Sequence, residues 1–169
     1  GGSSISGSSS SSGTITLNIS ITATVGSGSL TFATSSSSDS VVINRAINIK
    51  GNLAFTGSGD VEINTAAVTT EGTQSYGGSV SLSSSSILTA SSITTSRGVS
   101  VGQYALTLIT DSLALGGTIS GSSSSSLIIK AKTSNTPINL GSGTGISSGL
   151  NLNDTELGYL IAGSGNNVR

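Results

Sequence analysis

Short apolar runs with period two recur along most of the chain. Ile15-Thr16-Leu17, Ile19-Ser20-Ile21, Leu30-Thr31-Phe32, Val41-Val42-Ile43, Ile47-Asn48-Ile49, Leu53-Ala54-Phe55 and Val61-Glu62-Ile63 follow one another. Val80-Ser81-Leu82, Val99-Ser100-Val101, Leu106-Thr107-Leu108 and Leu113-Ala114-Leu115 continue the pattern. Successive side chains of a strand point to opposite faces, so each run predicts a short strand with one buried and one wet face. Thr, Ser, Asn and Ala fill most of the wet positions. Gly-, Ser- and Asn-rich stretches between the runs supply turns. No window carries the period of a long amphipathic helix. Asp154-Thr155-Glu156-Leu157 predicts a single helical turn with Asp154 as its N-cap.

The strands repeat on a longer scale. Apolar-x-apolar triplets beginning at Leu30, Leu53, Val80, Leu106, Leu127 and Leu150 are spaced by 21 to 27 residues. A hairpin sandwich turns every 8–12 residues or so and has no longer period. A period near two dozen suits one coil of a parallel β-solenoid, which holds two or three strands and their corners. Coils stacked at about 4.8 Å place like residues over like. The predicted core ladder is therefore Leu30, Leu53, Val80, Leu106, Leu127 and Leu150, with Phe32, Phe55, Leu82, Leu108, Ile129 and Leu152 beside it. Phe32 and Phe55 are expected to stack. The Ser tracts Ser35–Ser38, Ser83–Ser86 and Ser122–Ser126 each precede an apolar strand and read as corners or loops, and Ser8–Ser12 is a fourth tract. Pro137 lies in a turn-like stretch, Thr133 to Pro137, that is expected to interrupt pairing.

Composition narrows what such a rod does. The chain has 169 residues, 34% hydrophobic and only 8% charged, with a net charge of −1. Disordered chains combine low hydrophobicity with high net charge, and this one does not. Six Lys and Arg residues are scattered, so no basic stripe for nucleic acid or polybasic cluster for anionic lipid is present. No apolar run approaches the ~20 residues of a membrane-spanning helix. The chain lacks Cys, so neither disulfide nor thiolate site is expected. It lacks His, the commonest general base, which weighs against enzymatic readings. It lacks Met, which points to a processed product or a piece of a longer polypeptide.

Two phrases carry a family resemblance. Gly72-Thr73-Gln74-Ser75-Tyr76-Gly77-Gly78-Ser79-Val80-Ser81-Leu82 resembles a recurring phrase of filamentous-haemagglutinin-like adhesins, a Thr-Gln-Thr/Ser-Tyr segment before a Val-x-Leu strand. Leu150-Asn151-Leu152-Asn153-Asp154-Thr155-Glu156-Leu157, followed by Leu160-Ile161 and Gly163, is similar to another of their phrases. The resemblance implies a right-handed parallel β-helix, export across a Gram-negative outer membrane, and adhesive or fibrous work at the cell surface. The N-terminal secretion domain of two-partner-secreted members is not recognisable.

The candidate chemistry is sparse. Asp60 and Glu62 share a strand with Val61 and Ile63 as apolar partners, which puts both carboxylates on the outer face. They form a solvated pair or a weak Ca²⁺ site, since hard cations take oxygen ligands. A polysaccharide-cleaving solenoid would need them to meet a third carboxylate, such as Asp111, in a groove. Lys130 and Lys132 read as solvated charges or as blunting of a sheet edge. A catalytic Ser without His would need a nearby Lys, and Ser126 does not stand at the Ser-x-x-Lys spacing from Lys130. No cofactor is expected. Asn18-Ile19-Ser20 and Asn153-Asp154-Thr155 spell a glycosylation triplet, read as chance. Thr14-Ile15-Thr16 and Thr22-Ala23-Thr24 spell the Thr-x-Thr of ice-binding faces, but matched positions in other coils hold Ser, Asn and Ala.

These readings converge on an all-β chain, a single solenoid segment over 1–169 that continues in a longer polypeptide or stacks into a filament. Neither terminus spells a polar cap. The expected function is a secreted structural or adhesive fibre whose partners are other copies, end to end or laterally, or neighbouring coils of the same chain. The alternative is an adhesin module that recognises glycan or a host protein through exposed Tyr76 and Tyr104, which stand about one coil apart. An ice-binding solenoid is the remote alternative.

Overall fold

The computed structural model describes residues 3–6, 13–23, 28–141, 148–161 and 167–168. The strands come in triplets. The first holds β1 (Ser3–Ser6), β2 (Thr14–Leu17) and β3 (Ile21–Ala23), and the second β4 (Leu30–Ala33), β5 (Ser40–Ile43) and β6 (Ile47–Ile49). Then come β7 (Leu53–Thr56), β8 (Asp60–Ile63) and β9 (Ala67–Thr70), and β10 (Thr73–Tyr76), β11 (Val80–Leu82) and β12 (Ser86–Thr89). The last two triplets are β13 (Ser92–Thr95), β14 (Val99–Gly102), β15 (Ala105–Ile109), and β16 (Ser112–Leu115), β17 (Ile119–Gly121), β18 (Ser126–Lys130). β19 (Ile138–Leu140), β20 (Leu150–Leu152), α1 (Asp154–Ile161) and β21 (Asn167–Val168) complete the described chain.

Each strand pairs in parallel with its counterpart one triplet away. Sheet A runs β1-β4-β7-β10-β13-β16, sheet B β2-β5-β8-β11-β14-β17, and sheet C β3-β6-β9-β12-β15-β18-β21. The product is a parallel β-solenoid of about five turns, three walls around one apolar core. The register shows that the coils shorten. Ser3 meets Leu30 and Ile15 meets Val41, whereas Val80 meets Val99 and Val99 meets Ile119. A step of 26–27 residues thus falls to 19–21 from the third step on, at or below the lower limit of the 21–27 expected. The corners account for much of the shortening. Six residues, Thr34 to Asp39, separate β4 from β5, but only Gly77, Gly78 and Ser79 separate β10 from β11. Gly78 permits that tightness, because a Cβ there would strike the Gly59 carbonyl of the preceding coil.

The predicted ladder is corrected by this register. Its residues are buried, with Ile129 half-buried, but they do not form two columns. Leu30, Phe32, Leu53 and Phe55 lie in sheet A and Val80 and Leu82 in sheet B. Leu106, Leu108, Leu127 and Ile129 lie in sheet C, and Leu150 and Leu152 in β20. All three walls use the same apolar-x-apolar spelling, so a count that overshoots the true coil slips onto the next wall. The true columns of sheet A are Leu30–Leu53–Gln74–Ile93–Leu113 and Phe32–Phe55–Tyr76–Thr95–Leu115. Ile19, expected inward, is exposed in the corner between β2 and β3.

Phe32 and Phe55 stack as expected, with ring centroids 5.2 Å apart and planes 12° from parallel. Tyr76 extends the stack at 5.1 Å. In-register parallel strands impose this geometry, because each ring sits about one strand spacing above the last. Where the rings give way to Thr95 a void of about 10 Å³ remains, walled mainly by apolar residues such as Leu82, Leu88 and Ile93.

One end is covered. α1 is a two-turn helix, longer than the single turn expected, and its N-cap is Asn153 rather than Asp154. Asn153 Oδ1 accepts from the Glu156 amide and Glu156 Oε2 from the Asn153 amide, both at 3.0 Å. This reciprocal pair is a capping box. Glu156 Oε1 also accepts from the Leu115 amide at 3.1 Å, occupying a ladder donor of the last strand of sheet A. α1 packs on β16, β17 and β20, and Leu160 is buried there. The expectation of no cap fails because the cap is a side-chain carboxylate and a helix, not a polar coil. The stretch Thr133 to Pro137 holds no strand and interrupts pairing between β18 and β19, as expected; Pro137 itself is its last residue. It precedes β19, and its carbonyl accepts from Leu150 in β20.

Two substitutions test this account. Phe55→Ala removes the middle ring of the stack and is expected to cost about 3–5 kcal/mol in urea unfolding. Glu156→Ala leaves the Leu115 amide without its partner and is expected to cost about 2 kcal/mol, with amide exchange at Leu115 accelerating more than at Leu53.

Candidate functional site

A polar pair lies within the core. Gln74 takes the inward slot above Leu53, and its Nε2 donates to the carbonyls of Val68 and Thr89, both at 3.0 Å. Its Oε1 accepts from the Tyr76 hydroxyl at 2.9 Å. Buried amides are tolerated when bonded in this way. Burial pushes the Tyr76 phenol up, so it stays protonated as the donor. Tyr76 is only 1% exposed. Its proposed role as a surface contact is therefore overturned, and its stacking partner is Phe55 rather than Tyr104. Tyr104 is half-buried against the core at the corner between sheets B and C. The phrase Thr73-Gln74-Ser75-Tyr76 owes its spelling to this interior pair.

Asp60 and Glu62 lie on the outer face of sheet B, as expected. Glu62 accepts a hydrogen bond from Ser83 Oγ of the next coil. Asp111 stands at the corner between sheets C and A, so the structure does not bring it to Asp60 and Glu62. It accepts from the Thr133 hydroxyl at 2.6 Å and amide at 2.7 Å, which hold its carboxyl below the usual range. Among the described residues no three His, Cys, Asp or Glu side chains gather as a metal site. Lys130 is exposed at the end of β18. Lys132 is half-buried, and its Nζ donates to the carbonyls of Thr70 and Glu71 at 3.3 and 3.0 Å.

The Ser tracts within the described residues are corners. Asp39 organises the first of them. It accepts from the Ser35 amide at 3.0 Å, the Ser36 amide at 2.9 Å and the Gly13 amide of the preceding coil at 2.9 Å. In the second tract, Ser86 Oγ donates to the Thr65 carbonyl at 2.6 Å and Ser85 Oγ accepts from the Ala105 amide at 3.1 Å. Ser125 Oγ donates to the Ser122 carbonyl at 2.7 Å. Ser8–Ser12 lies outside the described residues. Asn18, whose triplet raised glycosylation, begins a side-chain ladder at the corner between sheets B and C. Asn44 donates to Asn18 at 2.8 Å and Asn64 to Asn44 at 3.1 Å.

The outward faces differ. On sheet B, Thr14 and Thr16 are followed in register by Ser40 and Val42, then by Asp60 and Glu62. The Thr rank of an ice-binding face is thus lost after one coil. Sheet A shows Thr31, Ala54, Ser75, Thr94 and Ala114 in one outward column. Sheet C presents Ala67, Ile87, Thr107 and Ile128. Sequence reading missed that last column, although Ile87 and Ile128 each stand beside an inward Leu or Ile. Among the described residues no helix is long and apolar enough to cross a membrane. No protein-family model matches the chain, and neither a curated protein nor a solved structure does.

The corner carboxylates make stability depend on acid. Hydrogen bonds from Gly13, Ser36 and Ser35 favour the charged form of Asp39, so it titrates below its ordinary 3.8 when folded. A carboxylate depressed in the folded state contributes stability that is complete above the unfolded value. That contribution is lost as pH falls through the folded one. The melting temperature is expected to hold above roughly pH 4 and to fall below it. Asp39→Asn with Asp111→Asn is expected to lower stability at neutral pH and to flatten the acid limb.

Proposed function

We propose that this chain is a structural segment of an extracellular fibre, exported to a bacterial cell surface, where it supplies length and stiffness under an uncharged hydroxyl-rich coat. The observation that carries this reading is the constancy of one inward column. Val41, Val61, Val80, Val99 and Ile119 occupy one position of sheet B through successive coils. A rod built this way lengthens by adding coils, each burying its apolar face on the one before. The hydrogen bonds of all three walls run along its axis, each worth about 1 kcal/mol net and sharing any axial strain.

The surface supports the same reading. The charged side chains are few and mostly tied to neighbouring coils. Lys50 and Glu71 form a pair at 3.5 Å, exposed enough to contribute little stability. The likeness to filamentous-haemagglutinin-like adhesins rests on residues that fall in β10–β11 and in β20–α1, the interior pair and the cap. It therefore bears on architecture more than on a binding surface. The adhesin-module alternative retains Tyr104 as its aromatic and loses Tyr76.

Electron microscopy of the purified chain with diffraction from oriented material tests the reading. The expected result is rods with a strong axial reflection near 4.8 Å and no saturable binding to glycan arrays or cells. Saturable binding that Tyr104→Ala removes would instead make the chain a ligand-recognition module.

A further inference from the structure

Sheet B carries its charges unevenly. Its outward face holds Thr14 and Thr16, then Ser40 and Val42, then Asp60 and Glu62. The next three coils set Ser81, Ser100 and Ser120 in the column of Glu62. Arg97 stands between β13 and β14, at the corner where sheet A passes into sheet B. Val61, Val80 and Val99 stack in one inward column, and Asp60 precedes Val61 by one residue while Arg97 precedes Val99 by two. Asp60 and Arg97 therefore share one margin of the face, two coils apart, which is about 9.6 Å along the axis. Both are exposed, and neither side chain has an ion-pair or hydrogen-bond partner among the described residues. Between their levels lies β11, whose outward side chain is Ser81.

A two-fold axis sets this face against itself in one of two ways when the strands of the two sheets are aligned. With the rods parallel, each level meets its own level and the order of residues across the face is reversed. The pair Asp60 and Glu62 then lies against the same pair, which gathers four carboxylates. With the rods antiparallel and the two-fold at β11, the level of β8 meets the level of β14 and the margins coincide. Asp60 then faces Arg97 of the second copy, Arg97 faces its Asp60, Glu62 faces its Ser100 and Ser81 faces its Ser81.

We infer that sheet B is a self-complementary lateral face whose occupant is a second copy of this chain, lying alongside with its axis antiparallel. The inference goes beyond the fibre reading and does not need it, since side-by-side pairing suits a rod of any task. Charge selects the orientation, because only the antiparallel arrangement turns repulsion between carboxylates into two reciprocal ion pairs. The small hydroxyl side chains between the charges keep the centre of the face low. Six strands of three or four residues make a face about 24 by 13 Å. That is well below the ~800 Å² that each partner of a stable dimer buries. The pair is therefore weak and sensitive to salt.

The test is sedimentation equilibrium of the full chain over a concentration series at low and high salt. The wild type is expected to dimerise reversibly, more weakly at high salt. Asp60→Arg and Arg97→Asp, each at an exposed position, are expected to weaken the dimer about tenfold or more at low salt, with the strand circular-dichroism spectrum unchanged. An equimolar mixture of the two variants is expected to regain it, because each then offers the charge that the other lacks. Lys130→Glu, on sheet C, changes the net charge as much as Arg97→Asp does and is expected to leave the dimer intact. A wild type that stays monomeric throughout overturns the inference. So does a mixture that regains nothing, or a Lys130→Glu variant as impaired as Arg97→Asp. None of these outcomes bears on the fibre reading, which axial diffraction and the binding assays decide separately.

Discussion

The parallel register along the axis is the constraint on which everything else depends. Once each residue must sit about 4.8 Å above its counterpart, side chains are chosen in columns rather than singly. An aromatic ring is acceptable at Phe55 because Phe32 and Tyr76 lie on either side of it. A glycine is needed at Gly78 because Gly59 lies directly beneath. No coil buries its own apolar face, so the core belongs to the stack and not to any triplet of strands.

Polar residues obey the same rule. Asp39 gathers amides from its own corner and from Gly13 in the coil before, and Glu156 bonds both its own helix and Leu115 in sheet A. Asn18, Asn44 and Asn64 bond through their side chains from coil to coil. Each of these interactions ties levels of the stack together, and their shared direction makes the corners part of the axial structure. The Ser tracts are the clearest case, since a composition suited to a flexible linker is here held by bonds within its own corner at Ser35–Ser38 and Ser122–Ser126 and by bonds to adjacent coils at Ser83–Ser86.

Much of this was legible from alternation alone. The triplets at Val41, Ile47, Leu53, Val61 and Val80 are strands where the period of two places them. β9, β10 and β13 escaped because their inward slots hold Thr70, Gln74 and Thr95, which read as surface residues in a hydrophobicity pattern. The coil length was overestimated because three walls with one spelling offer no local mark of which wall a triplet belongs to. Tyr76 was misassigned to the surface for a related reason. Two residues apart on one strand, Gln74 and Tyr76 face the same side, and their mutual bond makes that side the interior. The cap was half visible, since Asn153 and Glu156 have capping-box spacing, but the reach of Glu156 to Leu115 is a long-range contact that no local pattern encodes.

The Gln74–Tyr76 pair has a consequence for how so repetitive a sequence finds one alignment. A column of interchangeable Val, Ile and Leu residues would tolerate a strand displaced by a whole coil almost as well as the native arrangement. Gln74 is satisfied by two carbonyls, Val68 and Thr89, and by one hydroxyl, Tyr76. Displaced by a level, β10 would carry Tyr76 with it, but the Gln74 amide would leave the carbonyls of Val68 and Thr89, at a cost of about 1–3 kcal/mol if it found no new acceptor. The pair therefore acts as an index mark, a polar slot in the middle of the rod that distinguishes one coil from its more aliphatic neighbours.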